Sequence, residues 1–400
     1  MESYQRVGPL TAIPSILRQF DQDPAKVIAS TGVRPSVLDD AENAISFLDL
    51  GRLLQACVIA TRCRHFGLMV GQQSGIENLG LVGQLMRNAP TLGRAIYDLC
   101  VNQRRYVKGS VVYLSIQGEV AYWGYGIHLP EMQAIQQVYD LVTVMGLNIM
   151  LELSGISPGQ VRLARRTPNN VGPYRKVFGQ MPIFDAEQNA LVFSSKLLES
   201  PVRMANPQLR MALEKSVASY WAVTQPNTSE RVVQILRAQS VCGTGALSDV
   251  ASDLGIHSKA LNRKLQKEGT SFRDLRNQAR FEIACQLLTG TRMNVTDIAL
   301  ALGYAETSDF TRAFHSWSSK PPSTWRKQPT QLLETLESMI FPGNCLKMQS
   351  LDCNQCGMVH RGSRVSKSPT LQPRVVLRAD LDGKELKEPG KYNKANRGAA

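Results

Sequence analysis

Two clusters of side chains in the second half of the chain carry groups suited to reading a nucleic acid. Lys259, Asn262, Arg263 and Lys264 surround Leu261 and Leu265; Thr307, Ser308, Thr311 and Arg312, with His315 beyond, surround Phe310 and Phe314. Arginine can make paired hydrogen bonds to the guanine edge and asparagine to the adenine edge in the major groove, whereas lysines more often meet phosphates. In each cluster the two apolar residues are four apart, so on a helix they share the inward side and leave the polar residues outside. A polar helix face is by itself usually just solvated.

What lifts these two faces above that default is that the elements positioning them occur twice. The first copy reads Leu247-x-x-Val250-Ala251-x-x-Leu254-Gly255, then Leu261-x-Arg263-x-Leu265; the second reads Val295-x-x-Ile298-Ala299-x-x-Leu302-Gly303, then Phe310-x-Arg312-x-Phe314. Apolar residues at i, i+3, i+4 and i+7 make one stripe of an amphipathic helix. Glycine then ends it in a left-handed C′ position. Helix, glycine turn and second helix outline a helix-turn-helix unit, whose second helix enters the major groove. Phe272, Leu275, Ala279, Ile283 and Leu287 predict a helix over Ser271–Leu288 between the copies, about 27 Å long. That length suits a strut placing two recognition helices in successive grooves of one DNA face. Arg273, Arg276 and Arg280 lie along it, expected to pair with Asp274 or Glu282 or to stay in water rather than touch DNA.

The 400 residues, 43% hydrophobic and 20% charged, hold enough core for two or more domains. A net charge of +13 suggests an anionic partner. Residues 1–229 carry 21 basic against 17 acidic side chains, 230–330 carry 14 against 9, and 331–400 carry 11 against 7, so the excess is densest after residue 229. No signal-peptide pattern opens the chain. Val138–Leu153 is too short for a membrane span and contains Asp140 and Glu152. A cytoplasmic, non-membrane protein with reduced thiols is expected.

Residues 1–223 are expected to form an α+β domain. Helices are predicted over Phe47–Phe66, Leu79–Cys100 and Val138–Leu153. Val112, Leu114, Ile116, Val120 and Tyr122 alternate about Gln117-Gly118-Glu119 as a β-hairpin, and strands follow at Val161–Ala164 and Ala190–Phe193. Arg104, Arg105 and Tyr106 with Tyr122, Trp123, Gly124, Tyr125 and His128 could line a pocket suited to a small polar metabolite. Residues 224–229 form a polar, Pro-containing linker to an all-α double helix-turn-helix domain at 230–328. Residues 329–400 form a basic, largely disordered tail.

Enzyme chemistry is poorly supported, and no cofactor is expected. The five histidines are scattered, and no metalloprotease, phosphate-loop or dinucleotide motif occurs. Gly155-Ile156-Ser157-Pro158-Gly159 fits the nucleophile-elbow spacing, but it follows a helix and Pro158 has no N–H for an oxyanion hole, so it reads as a turn. Cys345, Cys353, Cys356 and His360 could hold zinc, but the second cysteine pair of a zinc ribbon is missing, and no metal site is expected.

The elements in this order, with Phe310-Thr311-Arg312-Ala313-Phe314, Trp317 and Lys320-Pro321-Pro322-Ser323-Thr324-Trp325-Arg326, closely resemble the AraC/XylS family of bacterial transcription regulators. Leu261-Asn262-Arg263-Lys264-Leu265 and Glu268-Gly269-Thr270-Ser271-Phe272 carry the likeness through the first unit. Tyr174–Gly179 and Phe184…Asn189–Phe193 look like the arabinose-binding-type N-terminal domain of one branch. The resemblance implies a regulator of double-stranded DNA, with a small-molecule effector in the N-terminal domain, contact with RNA polymerase, and a homodimer as one arrangement. It also implies Lys259, Asn262 and Arg263 as base readers. Two residues depart from the pattern: Ser319 stands where a glycine is usual, and His257 where a serine N-cap is usual, leaving Ser258 as the expected cap. Rival readings are a DNA-alkylation-repair protein using a cysteine acceptor, and a metal- or redox-sensing DNA-binding protein using the tail cysteines.

Overall fold

The computed structural model describes residues 3–103, 107–127, 129, 132–224, 227–242 and 245–327. Arg104, Arg105, Tyr106, His128, Gln225, Pro226, and the tail with Cys345, Cys353, Cys356 and His360 lie outside them. The chain opens with β1 (Tyr4–Arg6), α1 (Ile13–Gln19), α2 (Pro24–Ala29), β2 (Ala44–Ser46), α3 (Phe47–Thr61), α4 (Phe66–Gln72), α5 (Gly80–Arg87) and α6 (Leu92–Asn102). Then come β3 (Val107–Lys108), β4 (Ser110–Gln117), β5 (Val120–Ile127), α7 (Ile135–Ser154), β6 (Gln160–Arg162), α8 (Gly172–Phe178), β7 (Asn189–Ser194) and α9 (Pro207–Thr224). The second half is helical: α10 (Thr228–Cys242), α11 (Leu247–Asp253), α12 (Ser258–Lys267), α13 (Phe272–Gly290), α14 (Val295–Ala301), α15 (Thr307–Ser318) and α16 (Pro322–Arg326).

Local chemistry explains where expectation and fold differ. The helix expected over Leu79–Cys100 is two helices, because Pro90 has no N–H to continue the ladder and Thr91 restarts it by accepting from Arg94 N at 3.2 Å. The helix expected over Phe47–Phe66 stops at Thr61, where Arg62 turns left-handed (φ 55°). Helix α9 was not expected; it ends at Thr224, and α10 starts at Thr228. The hairpin forms as expected, Gln117 opposite Val120 across Gly118-Glu119.

Four antiparallel strands run in the order β4-β5-β7-β6. Alternation gives this sheet two faces. Val112, Leu114, Trp123 and Leu191 share one face by register, against α7. Val111 and Tyr113 point the other way, into a core shared with Phe281, Met293, Phe310 and Trp325 of the helical half. A three-stranded sheet, β2-β1-β3, flanks the first half. Helix α7 is buried around most of its circumference. Helix α4 meets it at two glycines: a Cβ on Gly67 would lie 2.0 Å from the Gln137 carbonyl oxygen, and one on Gly71 2.7 Å from that of Leu141. Gly155 (φ 73°) caps the end of α7, so the Gly155–Gly159 segment is a helix-terminating loop, as expected.

Asp140 on α7 is fully buried and accepts hydrogen bonds from Arg165 and from Tyr174 Oη (2.7 Å). Burial dominates its titration and raises the carboxyl to about 6, against the lowering effect of Arg165 and Tyr174.

Gly67→Ala should push α4 off α7 and destabilise the fold by about 1–3 kcal/mol, read as a lower urea midpoint. A carboxyl with a raised folded pKa stabilises only while protonated: Asp140's contribution is complete below about pH 4 and is lost as pH rises through about 6. The unfolding free energy of the wild type relative to Asp140→Asn should therefore fall by roughly 1.4 kcal/mol per pH unit across that window. A flat difference in urea melts at stepped pH would exclude Asp140 as the source.

Candidate nucleic-acid interface

In the first unit, Val250, Ala251, Leu261 and Leu265 are buried against Val232, Leu236 and Ala279. Gly255 (φ 66°) makes the turn, and Ile256 N returns to Ala251 O at 3.0 Å. His257, not Ser258, is the N-cap of α12: its Nδ1 accepts from Lys259 N at 3.3 Å, and Ser258 is the first helical residue. An imidazole nitrogen can serve as the acceptor that a serine oxygen usually provides. Lys259, Asn262, Arg263, Lys264 and Lys267 are all exposed on α12.

The second unit repeats the geometry. Gly303 (φ 75°) turns the chain, and Tyr304 N bonds Ala299 O at 3.0 Å. Phe310 and Phe314 are fully buried, with Phe314 5.4 Å from Phe281 and 5.6 Å from Trp325, centroid to centroid. Ser308, Arg312 and His315 are exposed. Thr307 and Thr311, expected on the open face, are half-buried. Thr311 Oγ1 donates to Thr307 O at 2.9 Å, and Thr307 Oγ1 to Thr296 Oγ1 at 3.3 Å. Such back-bonding is the local alternative open to a helical threonine. Ser319 adopts the left-handed conformation (φ 56°) that its usual glycine would take freely, and donates its N–H to His315 O at 2.8 Å.

Electrostatically the two heads differ. Helix α12 presents four cations, and the carboxylate that follows it, Glu268, is bound to Thr228 and Ser229. Burial would raise the Glu268 carboxyl, but hydrogen bonds from Ser229 Oγ, Ser229 N (2.8 Å) and Thr228 N (2.9 Å) outweigh it and hold the group below the ordinary glutamate range. Glu268 thus caps α10 from the end of the first recognition helix. On α15, Arg312 is 78% exposed but lies 2.5 Å from the Asp309 carboxylate, an exposed pair of little stability value. The connecting-helix arginines depart from expectation. Arg280 stacks over Tyr304 at 4.9 Å, Arg276 is half-buried, and Glu282 binds Arg237 and Gln278 instead; only Arg273 of the three is fully exposed.

The first half of the chain grips both units. Asp253, at the end of α11, receives Tyr97 Oη (2.5 Å), Arg94 (3.4 Å) and Gln239 (3.2 Å), and Gln234 donates to Val101 O at 2.9 Å. Arg292, after α13, donates to Ala186 O (2.7 Å) and Ala164 O (3.2 Å). Tyr97, Asp253 and Arg292 escaped sequence reasoning, since each pairs with residues more than a hundred positions away. Burial pushes the Cys57 thiol up to about 12 and raises those of Cys63 and Cys285, so none of these three is an activated nucleophile. The described residues contain no cluster that could hold a metal and no helix long and apolar enough to cross a membrane.

Two helix-turn-helix units with outward polar second helices define a DNA-binding transcription regulator. A family model described as the arabinose-binding domain of AraC transcription regulators, N-terminal, matches residues 22–202, and a helix-turn-helix domain model matches 250–328. The chain belongs to the AraC-type transcription regulators with an arabinose-binding-type N-terminal domain. It is 24% identical over 335 residues to the ornithine utilization regulator of Pseudomonas aeruginosa, covering 80% of this chain and 95% of that one. It is 24% identical over 328 residues to the transcriptional regulator VirS of Mycobacterium tuberculosis, covering 80% and 96%. The crystal structure of the regulator CdpR from Pseudomonas aeruginosa covers 78% of this chain and 98% of its own at 19% identity, with a TM-score of 0.39.

Asp309→Asn should release Arg312 and remove a charge that repels phosphates. Nonspecific affinity for duplex DNA is expected to rise roughly two- to fivefold at low salt, measured by fluorescence anisotropy. Unchanged affinity would mean the pair does not restrain Arg312.

Proposed function

We propose that this regulator reads its operator by placing α12 and α15 in adjacent major grooves on one face of the duplex. Lys259, Asn262 and Arg263 contact bases in the first groove, while Lys264 and Lys267 hold phosphates. Ser308 and Arg312 contact the second, and Thr307 and Thr311 orient that helix. The observation that carries this reading is that two units with the same turn hydrogen bond expose their second helices while burying matched apolar anchors four residues apart. Helix α13, with 19 residues, spans about 28 Å, compatible with the ~34 Å helical repeat of B-DNA.

The proposed division is an effector-binding and dimerisation domain at 1–223, a linker at 224–229, a DNA-binding domain at 230–328 and a basic tail at 329–400. A small molecule in the first domain shifts the equilibrium between states that differ in how firmly Asp253 and Arg292 hold the two units. The DNA-bound protein contacts RNA polymerase in the cytoplasm, as a homodimer.

Footprinting upstream of its own and neighbouring genes should protect two successive major grooves on one face. On that site, Arg263→Ala and Arg312→Ala should each cost about 1–3 kcal/mol and relax preference at one base pair. Equal losses on specific and random DNA would reduce either arginine to a phosphate contact.

A further inference from the structure

A cavity of about 120 Å³ lies between the four-stranded sheet and α7. Val112, Trp123, Met145, Ile149 and Leu191 wall it, and Gly146 leaves it room. Gln5 and Arg6 stand at its edge, and other polar side chains there are engaged elsewhere. Asn78 Nδ2 donates to Gly8 O at 2.9 Å, and its Oδ1 accepts from Gly75 N at 2.8 Å. Gln103 Oε1 accepts from Val112 N (2.6 Å), Thr143 donates to Tyr139 O (2.7 Å), and Asn189 Oδ1 accepts from Ala164 N (2.9 Å). Arg6 is bound to Glu42 at 3.1 Å and to Ala41 O at 2.7 Å. Tyr125 also lines it, with its buried hydroxyl beside that of Ser110.

A sugar or an amino acid entering here would lose its water and find few partners, which disfavours it strongly. An apolar molecule meets the opposite balance, since an apolar cavity of about 150 Å³ binds benzene. We propose that this cavity is the effector site, and that it takes an uncharged, predominantly apolar molecule of about benzene size with at most one hydrogen-bonding group. The proposal rests on the reading that the N-terminal domain binds an effector. It departs both from the polar metabolite expected from the sequence and from the sugar in the family model's description.

The same site reaches the DNA-binding half through one thickness of sheet. Gly124 lines the cavity, and a Cβ there would sit 2.2 Å from Tyr113 Cζ, so the Tyr113 ring lies directly on that strand's other side. Tyr113 Oη donates to Gln188 and stands 3.9 Å from Met293 Sδ, within the core of the second helix-turn-helix unit. A ligand that displaces β5 therefore displaces Tyr113 and the packing behind α14 and α15.

The test uses the full chain with benzene, phenol, L-arabinose and L-ornithine as probes, followed by saturation-transfer NMR and by thermal melting. Benzene and phenol should give saturation transfer and raise the melting temperature; arabinose and ornithine should do neither. Gly146→Leu should fill the cavity and abolish the benzene and phenol signals. If that variant does not fold, Gly146→Ala, whose Cβ would meet Leu191 Cδ1 at an ordinary 3.4 Å, should weaken them. The proposal is overturned if neither apolar probe binds the wild type, if both bind the folded Gly146 variants undiminished, or if arabinose or ornithine binds and loses its signal in those variants. Anisotropy with duplex DNA, run on the same samples, separates the two readings: loss of DNA binding by the wild type would defeat the regulator function without bearing on the cavity.

Discussion

The structure depends on a sheet that is buried on both faces. One face packs on α7 and the other on the second helix-turn-helix unit, where Val111 and Tyr113 complete a core built from Phe281, Phe310, Phe314 and Trp325. Apolar burial of this kind is the largest favourable term available to a fold. Because it spans the boundary between halves, the DNA-binding units are docked on the first half rather than tethered to it. The polar clamps at Asp253 and Arg292 add direction to that docking more than strength, since exposed or half-exposed polar pairs contribute little net stability.

The two reading heads are alike in backbone and unlike in charge. Helix α12 carries the cations that draw a duplex in, whereas α15 carries one arginine held by its own neighbour, Asp309. Long-range attraction and discrimination can thus be divided between them. The first head supplies much of the salt-sensitive affinity, and the second contributes contacts that form once the DNA is already seated.

The repeated units were legible in the sequence because each is local: apolar spacing within ten residues and a glycine after it state the helix, the turn and the next helix. The exposed positions of Lys259, Asn262, Arg263, Lys264, Ser308 and Arg312 follow from that spacing alone. Thr307 and Thr311 did not follow, since a threonine's choice between solvent and its own backbone leaves no periodic trace. The β-hairpin was legible from alternation, but not which of its faces would meet the second half, because Tyr113 and Met293 are far apart in sequence. The character of the cavity was hidden for a related reason. Trp123 and Tyr125 suggest polar recognition by type, yet the neighbouring Tyr122 faces elsewhere, under Arg162, and the walls are completed by aliphatic residues from α7 and β7.

Glu268 ends the first recognition helix, yet its carboxylate closes the start of α10. The two elements are thereby clipped like a buckle, and the tilt at which α12 meets a groove is inherited from the segment arriving out of the first half. Anyone grafting a different sensory module onto this reading head would do well to place the junction upstream of Thr228, because a seam inside Thr228-Ser229 would open the buckle and leave α12 without its alignment.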